Sequence, residues 1–341
     1  MKLDRGAAPG EADVREDAAA AERDGFDGFW TAEVKRDPFL GLALAATATE
    51  RIQLGTGIAL AFARNPMTTA ATANELQALS RGRFLLGLGT QVKAHITRRF
   101  SMPWSRPAAR MREYVLALRA IWSTWHTGAA LDFQGEFYTH TLMTPMFVPP
   151  EHGFGAPPVV LAGVGETMTE VAGEVADGFL AHGFTTERYL REVTVPALER
   201  GRAKTGGSLD GFILKGAPMI AVGRTDEELA KAKAGVRSQI AFYGSTPAYR
   251  AVLALHGWDE PGERLHQLSR EGKWAEMGTL IDDEMLAAFA VVGSPEQAGR
   301  ELVRRYGDVF DRASLYTPYE VDPTLVTHTA AAIRAAAGTV C

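Results

Sequence analysis

Short apolar segments alternate with longer segments of helical spacing along most of this chain. Residues 52–60 (IQLGTGIAL) and 84–90 (FLLGLGT) are largely apolar, which is typical of parallel strands that helices cover on both faces. Between them, Asn65 and Pro66 supply a helix cap and a first-turn proline, and residues 67–80 carry apolar side chains at helical spacing. This stretch therefore predicts a strand–helix–strand unit with parallel strands.

The same alternation predicts eight strands in the whole chain. They comprise residues 1–4, 25–33, 52–60, 84–90, 158–162, 176–184, 212–222 and 313–316. Helices are predicted at residues 12–23, 38–49, 67–80, 108–125, 185–202 and 324–337, after the turn 163–168, and after capping boxes at 225–228 and 294–297. Residues 131–145 predict a small hairpin, and residues 243–289, which lack a strand pattern, predict a helical insertion.

Eight strands that alternate with helices favour a (β/α)8 barrel, and a doubly wound open sheet is the alternative. A chain of 341 residues has a normal length for one such barrel. We therefore expect a single α/β domain over residues 1–341, a (β/α)8 TIM barrel with a helical insertion at about residues 243–289, before the last strand.

Charge and composition narrow the classes of function. The formal net charge is -5 and basic residues are spread along the chain, so nothing indicates a nucleic acid or an anionic membrane as partner. No apolar run is long enough to cross a bilayer, and the charged first residues do not resemble a signal peptide. We therefore expect a cytoplasmic protein that acts on a small molecule. The only cysteine, Cys341, is the last residue, which argues against a disulfide framework, a cysteine metal site and a thiol nucleophile.

The carboxyl ends of the predicted strands hold the candidate chemistry, because parallel α/β folds bind ligands there. Glu33 ends the second strand and can donate or accept a proton, or it is a solvated loop carboxylate. Thr90 and Gln91 end the fourth strand, where they can bind a ligand or cap the turn. Gly163 and Gly165 form a strand-to-helix turn whose free N–H groups can hold a phosphate, although glycine-rich turns are common in barrels.

Histidine, basic and aromatic side chains supply further candidates. His95 and His182 can act as ligands or bases or can have structural roles, and their spacing to acidic residues does not predict a metal site. Four basic residues predict a positive loop face for phosphate or carboxylate groups, or a solvated surface: Arg64, Lys93, Arg98 and Arg99. Three aromatic residues of the insertion line an apolar pocket or form the insertion's own core: Tyr243, Trp258 and Trp274.

Several segments together resemble the luciferase-like oxidoreductase superfamily, whose members are (β/α)8 barrels. They are DGFDGFWTAEV, ERIQLGTGIAL, NPMTTAATANELQALSRGRFLLGLGT and PPVVLAGVGETMTEVAGEVADGFLAHGF, and they cover nearly the whole chain in the expected order. Within the superfamily, HITRRFSMPWSRPAARMRE, FYGSTPAY and SLYTPY are most similar to the branch that uses the deazaflavin coenzyme F420.

The resemblance implies coenzyme contacts at several positions. Gly57 and Ile58 match a non-prolyl cis peptide that bulges the third strand against the back of the ring system. Thr90 and Gln91 match a segment that contacts the ring or the ribityl chain. The remaining matches hold the phosphate or lie near the same tail: Gly163, Val164, Gly165, His182 and Phe184.

One departure from the family concerns the end of the second strand. Sugar-phosphate dehydrogenases of the branch carry Asp-His there, whereas this chain has Ala32 and Glu33. A carboxylate can perform the proton transfer of a histidine when burial raises its pKa. The insertion also lacks a paired Lys/Arg phosphate clamp, which favours a less charged substrate.

The resemblance therefore implies hydride transfer between C5 of the deazaflavin and a small or medium organic substrate, with Glu33 supplying or removing a proton. The alternatives are an FMN-dependent monooxygenase, which would need a separate reductase, and a non-catalytic deazaflavin-binding barrel. The resemblance also implies a homodimer.

Overall fold

Eight parallel strands close into a barrel in the computed structural model, which describes residues 1–7 and 13–338. Each strand pairs with its neighbours in chain order, the eighth pairs with the first, and the third pairs with the fourth. The strands are β1 Lys2–Gly6, β2 Gly28–Thr31, β3 Gln53–Thr56, β4 Phe84–Gly89, β5 Val159–Gly163, β6 Gly178–Ala181, β7 Ile213–Gly216 and β8 Arg312–Ser314. The predicted (β/α)8 barrel is confirmed, and the open-sheet alternative is wrong because the sheet closes.

Helices surround the barrel and follow its strands. They are α1 Val14–Arg23, α2 Pro38–Ala48, α3 Pro66–Leu79, α4 Pro107–Thr127, α5 Glu166–Val175, α6 Glu187–Tyr189, α7 Val195–Ala203, α8 Asp226–Gly244, α9 Arg250–Leu255, α10 Asp259–Arg270, α11 Trp274–Met277, α12 Asp283–Phe289, α13 Pro295–Tyr306 and α14 Pro323–Gly338. Ala12, where the first helix was expected to begin, and Cys341 lie outside the described residues. Within the described ranges, no helix is long and apolar enough to cross a membrane.

Side-chain caps begin several helices where the sequence predicts them. The side chain of Asn65 accepts a hydrogen bond from the Thr68 amide at the start of α3. Ser294 and Gln297 form the reciprocal capping box of α13. Caps of this kind satisfy first-turn N–H groups, and each contributes about 0.5–2 kcal/mol.

Two predicted strands are interrupted. The third, expected at residues 52–60, ends as β3 at Thr56, and a short strand Ala59–Leu60 resumes the pairing with β4. The seventh, expected at residues 212–222, divides into β7 and a separate strand Met219–Val222. Pro218 lies between these two pieces and has no N–H to donate to a ladder. Met219–Val222 pairs instead with Ala290–Gly293, a strand that follows the insertion.

The insertion is helical, as predicted, and it packs on its own core. After α8 ends at Gly244, α9 to α12 follow one another before the strand Ala290–Gly293. Ile240, Leu265 and Phe289 are fully buried in this core, together with Phe184 from the segment after β6. Each such side chain contributes about 1.5–3 kcal/mol on burial. The insertion is therefore held against the carboxyl end of β6. The predicted hairpin is confirmed as Phe133–Gln134 paired with Thr139–His140.

Candidate functional site

The carboxyl ends of the barrel strands form a mouth lined partly by small residues. A Cβ placed on Gly6, at the end of β1, would meet no atom within 4 Å. A Cβ placed on Gly89, at the end of β4, would clash with Cδ1 of Ile58 and would lie 3.7 Å from the Cβ of Ala162. The Ile58 side chain therefore packs directly against Gly89. The Gly57–Ile58 peptide bond is cis, as the resemblance implies. Ile58, Gly89 and Ala162 thus lie together beneath an open mouth.

Glu33 is buried in an ion pair beside the interruption of the third strand at Gly57 and Ile58, which is called the β3 bulge below. Its Oε2 accepts hydrogen bonds from the Leu60 amide at 2.8 Å and from Nη1 of Arg64 at 2.6 Å. Only 9% of the side chain is exposed, so the interpretation of Glu33 as a solvated carboxylate is wrong. Nη2 of Arg64 donates to Oδ2 of Asp37 at 2.7 Å. Burial lowers the pKa of Arg64, but the two carboxylates outweigh it and raise that pKa overall.

Thr90 and Gln91 bond to nearby backbone. The Thr90 hydroxyl donates to the Gln91 carbonyl at 3.0 Å, and the Gln91 side-chain oxygen accepts from the Val92 amide at 2.9 Å. Gln91 has φ of 58°, a left-handed conformation that is uncommon for residues other than glycine. Their local bonds are those of turn capping, and ligand contact by these residues stays a prediction.

The turn after β5 offers hydrogen-bond donors to an anion. Gly165 is the N-cap of α5, and no side chain caps this helix. A Cβ on Gly165 would meet no atom within 4 Å, so the space beside the first-turn amides is open. A cavity next to the turn is lined by Gly163, Val164, His182 and Thr185, among others. The Thr185 hydroxyl oxygen is buried and has no hydrogen-bond partner among the described residues. That cavity has a volume of about 10 Å³, enough for one water molecule, so it is the exposed, uncapped N-terminus of α5 that suits a phosphate.

His182 is a half-buried, neutral side chain. Its Nδ1 accepts a hydrogen bond from the Phe184 amide at 3.0 Å, so the proton is on Nε2. The ring packs against Tyr243 and Tyr249, with centroids 4.7 and 4.8 Å away. Burial lowers the pKa of His182 to about 4. At neutral pH this histidine can donate one hydrogen bond, and it carries no charge for a phosphate.

The predicted positive loop face is divided in the structure. Arg64 belongs to the ion pair with Glu33. The other three basic residues are exposed, as is the neighbouring histidine: Lys93, Arg98, Arg99 and His95. Within the described ranges, no group of His, Cys, Asp and Glu side chains could hold a metal ion.

The two tryptophans of the insertion pack on neighbours within it or on α8. Trp258 stacks on His256 with centroids 4.4 Å apart, and Trp274, which is 54% exposed, contacts Phe242. Tyr243 differs, because its hydroxyl lies 3.1 Å from that of Tyr316, beyond the end of β8. Burial raises the pKa of both tyrosines, so both hydroxyls stay protonated at neutral pH.

A buried ionic cluster inside the barrel was missed by the sequence reasoning. Arg312 of β8 donates to both carboxylate oxygens of Asp4 of β1 at 2.7 Å, and to Gln53 of β3 at 2.7 Å. Lys215 of β7 donates to the Ser314 hydroxyl at 2.6 Å and lies 3.8 Å from Asp4. The signal was present, because charged residues in otherwise apolar strands must find partners when the strands are buried.

Comparisons with known proteins agree with this architecture. Residues 3–312 match the family model described as luciferase-like monooxygenase. An uncharacterized protein of Mycobacterium tuberculosis is 55% identical over 313 residues, which are 92% of each chain. The 5,10-methylenetetrahydromethanopterin reductase of Archaeoglobus fulgidus is 29% identical over 285 residues, 81% of this chain and 80% of that one.

Among solved structures, the coenzyme F420-dependent tetrahydromethanopterin reductase from Methanopyrus kandleri superposes with a TM-score of 0.78 over 96% of each chain, at 21% identity. That identity shows a shared fold.

Proposed function

Because the chain belongs to the luciferase-like monooxygenase family, whose members are oxidoreductases and monooxygenases, we propose that it is a coenzyme F420-dependent oxidoreductase. Its substrate is a small or medium organic molecule, either an alcohol or carbonyl compound or an activated C=C compound. Relatives named as reductases of a pterin support this choice, at 29% identity in sequence and with a common fold. When bound, the deazaflavin supplies a ring carbon that accepts or releases a hydride.

The open anion site after β5 is the observation that carries the proposal. Gly163, Val164 and Gly165 would hold the coenzyme phosphate through the amides at the start of α5, which no side chain caps. Glu166 in the first turn of α5 opposes an anion, but its carboxylate pairs with Arg200. The residues present therefore fit a phosphate-bearing coenzyme.

At the other end of the mouth, Gly57 and Ile58 would support the ring, and Thr90 and Gln91 would contact the ring or its chain. Glu33 would hold or move the proton that accompanies hydride transfer. Its amide donates to the Ile58 carbonyl at 3.0 Å, so Glu33 adjoins the cis peptide proposed to support the ring, which supports this role.

The substitution Gly165→Ala tests the anion site. Its added methyl group would occupy the open space beside the α5 amides, and the backbone there is compatible with alanine because φ is -77°. We expect coenzyme affinity to fall at least about tenfold, with a stability loss near 1 kcal/mol from the poorer N-cap. Gly338→Ala, at the exposed end of α14, is the matched control. Unchanged affinity in Gly165→Ala would argue against phosphate binding at this turn.

An FMN-dependent monooxygenase is the second candidate, and the monooxygenase name of the matching family favours it. The same phosphate site would then hold FMN, and a separate reductase would supply reduced flavin. Oxygen-dependent turnover with reduced FMN, and none with the deazaflavin, would support this candidate over the first.

We also propose that a second copy of the chain covers α2 and that the dimer is cytoplasmic. Apart from Thr47, the helix carries only apolar side chains, with Leu42 fully buried while Leu40 and Leu44 are 71% and 46% exposed. A helix that is apolar on all sides is normally buried on all sides.

A further inference from the structure

The ionic cluster inside the barrel carries one more positive charge than negative charge. Within residues 1–7 and 13–338, Asp4 is its only carboxylate, and both oxygens of that carboxylate accept from Arg312. Lys215 reaches Asp4 only at 3.8 Å. The other side chains that contact these groups, Trp30, Gln53 and Ser314, are neutral. A protonated Lys215 therefore has no carboxylate of its own among the described residues.

An unbalanced cation in a barrel interior is expensive unless a ligand balances it. The Lys215 side chain is 8% exposed and the Asp4 side chain is fully buried, so water screens this charge poorly. Burial lowers the pKa of Lys215 to about 8, Asp4 opposes that shift, and Arg312 adds to it. At neutral pH the amine is therefore mostly protonated, and the excess charge is present.

Two short connections lead from Lys215 to the mouth. Ser314, which accepts the Lys215 hydrogen bond, is the last residue of β8 and is partly exposed. Nζ of Lys215 also lies 4.9 Å from the ring centroid of Trp30. Cε3 of that indole lies 3.4 Å from where a Cβ on Gly57 would stand. One indole thus separates Lys215 from the strand segment proposed to support the coenzyme ring.

A ring that accepts a hydride gains an electron pair and one unit of negative charge: the C–H bond of an alcohol substrate breaks, a C–H bond forms on the ring, and the alcohol's O–H proton passes to Glu33, the base proposed above. Positive charge near such a ring favours its reduced form. We propose that Lys215, aided by the Ser314 hydroxyl, is the positioning residue that supplies this charge and so shifts the bound coenzyme towards its reduced state. The proposal rests on the proposed function.

The test compares affinities for the oxidised and the reduced coenzyme, measured by anaerobic fluorescence titration at pH 7. We expect Lys215→Met to lower the ratio of reduced to oxidised affinity about tenfold, which is ~1.4 kcal/mol. Lys215→Arg should retain the ratio, because it retains the charge. Gln53→Glu should lower the ratio without altering Lys215, because its carboxylate balances the cluster, whereas the neutral Gln53→Met should not.

The outcomes separate this inference from the proposed function. If the wild-type chain binds the deazaflavin but Lys215→Met and Gln53→Glu leave the ratio within about twofold, the charge proposal is overturned and the coenzyme assignment stands. If Lys215→Met proves unfolded by thermal melting, the Gln53 pair decides. If the chain binds only FMN, the deazaflavin assignment is overturned, and the affinity ratio is measured with oxidised and reduced FMN instead. A shift of that ratio in the variants supports the charge proposal, and no shift overturns it. Binding of neither overturns both.

Discussion

Replacing Glu33 by glutamine separates a role in proton transfer from a role in the ion pair. The amide oxygen of glutamine can still accept from the Leu60 amide and from Arg64, so the local geometry is retained. What is lost is the charge of a pair whose side chains are 9% and 21% exposed. Hydrogen bonds to charged groups contribute about 1.5–3 kcal/mol, so we expect a loss of unfolding free energy of about 1–2 kcal/mol. A protein stable by roughly 5–15 kcal/mol would remain folded.

The effect on rate is expected to be much larger. A positioned acid or base contributes about 10²–10⁴-fold, so kcat with the deazaflavin and the first substrate that turns over should fall at least about a hundredfold. Coenzyme affinity should change by less than about threefold, because Glu33 lies away from the phosphate turn. Asp37→Asn is the matched control: it removes the other carboxylate of Arg64, and asparagine still caps α2. If Glu33→Gln turns over within about threefold of wild type, or resembles Asp37→Asn, Glu33 is an ion-pair residue only.

Three further outcomes are expected. Asp4→Asn leaves two buried cations without a carboxylate, so it should lower the unfolding free energy in urea by about 3–5 kcal/mol. Asp24→Asn, which removes an exposed 3.4 Å pair, should lower it by under about 1 kcal/mol. Equal losses would refute the buried cluster. Because folding lowers the pKa of Lys215 from 10.5 to about 8, the folded state releases this proton first as pH rises. Between pH 8 and 10.5, the unfolding free energy of wild type should therefore rise relative to that of Lys215→Met by up to about 3 kcal/mol. Parallel curves of unfolding free energy against pH for the two proteins would contradict this. Replacing both Leu40 and Leu44 with glutamate should convert the dimer into a monomer in sedimentation equilibrium. A wild-type chain that is itself monomeric would contradict the proposed dimer.

The alternation of strands and helices could be predicted because burial imposes a local period on the sequence. The break after β7 could not be predicted from apolar content alone, since the residues on both sides of Pro218 are, Lys215 apart, apolar or glycine. The apolar run therefore predicted one long strand where the chain forms two, in different sheets.

Contacts between distant strands were beyond local patterns. Asp4 and Arg312 are 308 positions apart, and only closure of the barrel brings them together. Glu33 was expected at the end of β2, but its partner Arg64 lies beyond the β3 bulge, whose local shape decides the pairing. The neutral state of His182 likewise depends on tyrosines from α8 and the insertion. Candidate positions could be proposed from strand ends, whereas their protonation and partners required the tertiary structure.

The most direct measurement of the central claim is a parallel equilibrium titration of the purified chain with the deazaflavin and with FMN, followed by fluorescence at moderate salt. We expect tight deazaflavin binding, with FMN weaker by a factor of about ten, or ~1.4 kcal/mol, and with deazaflavin binding weakened in Gly165→Ala. Preferential binding of FMN would contradict the coenzyme assignment and direct the search to oxygen-dependent chemistry with a partner reductase.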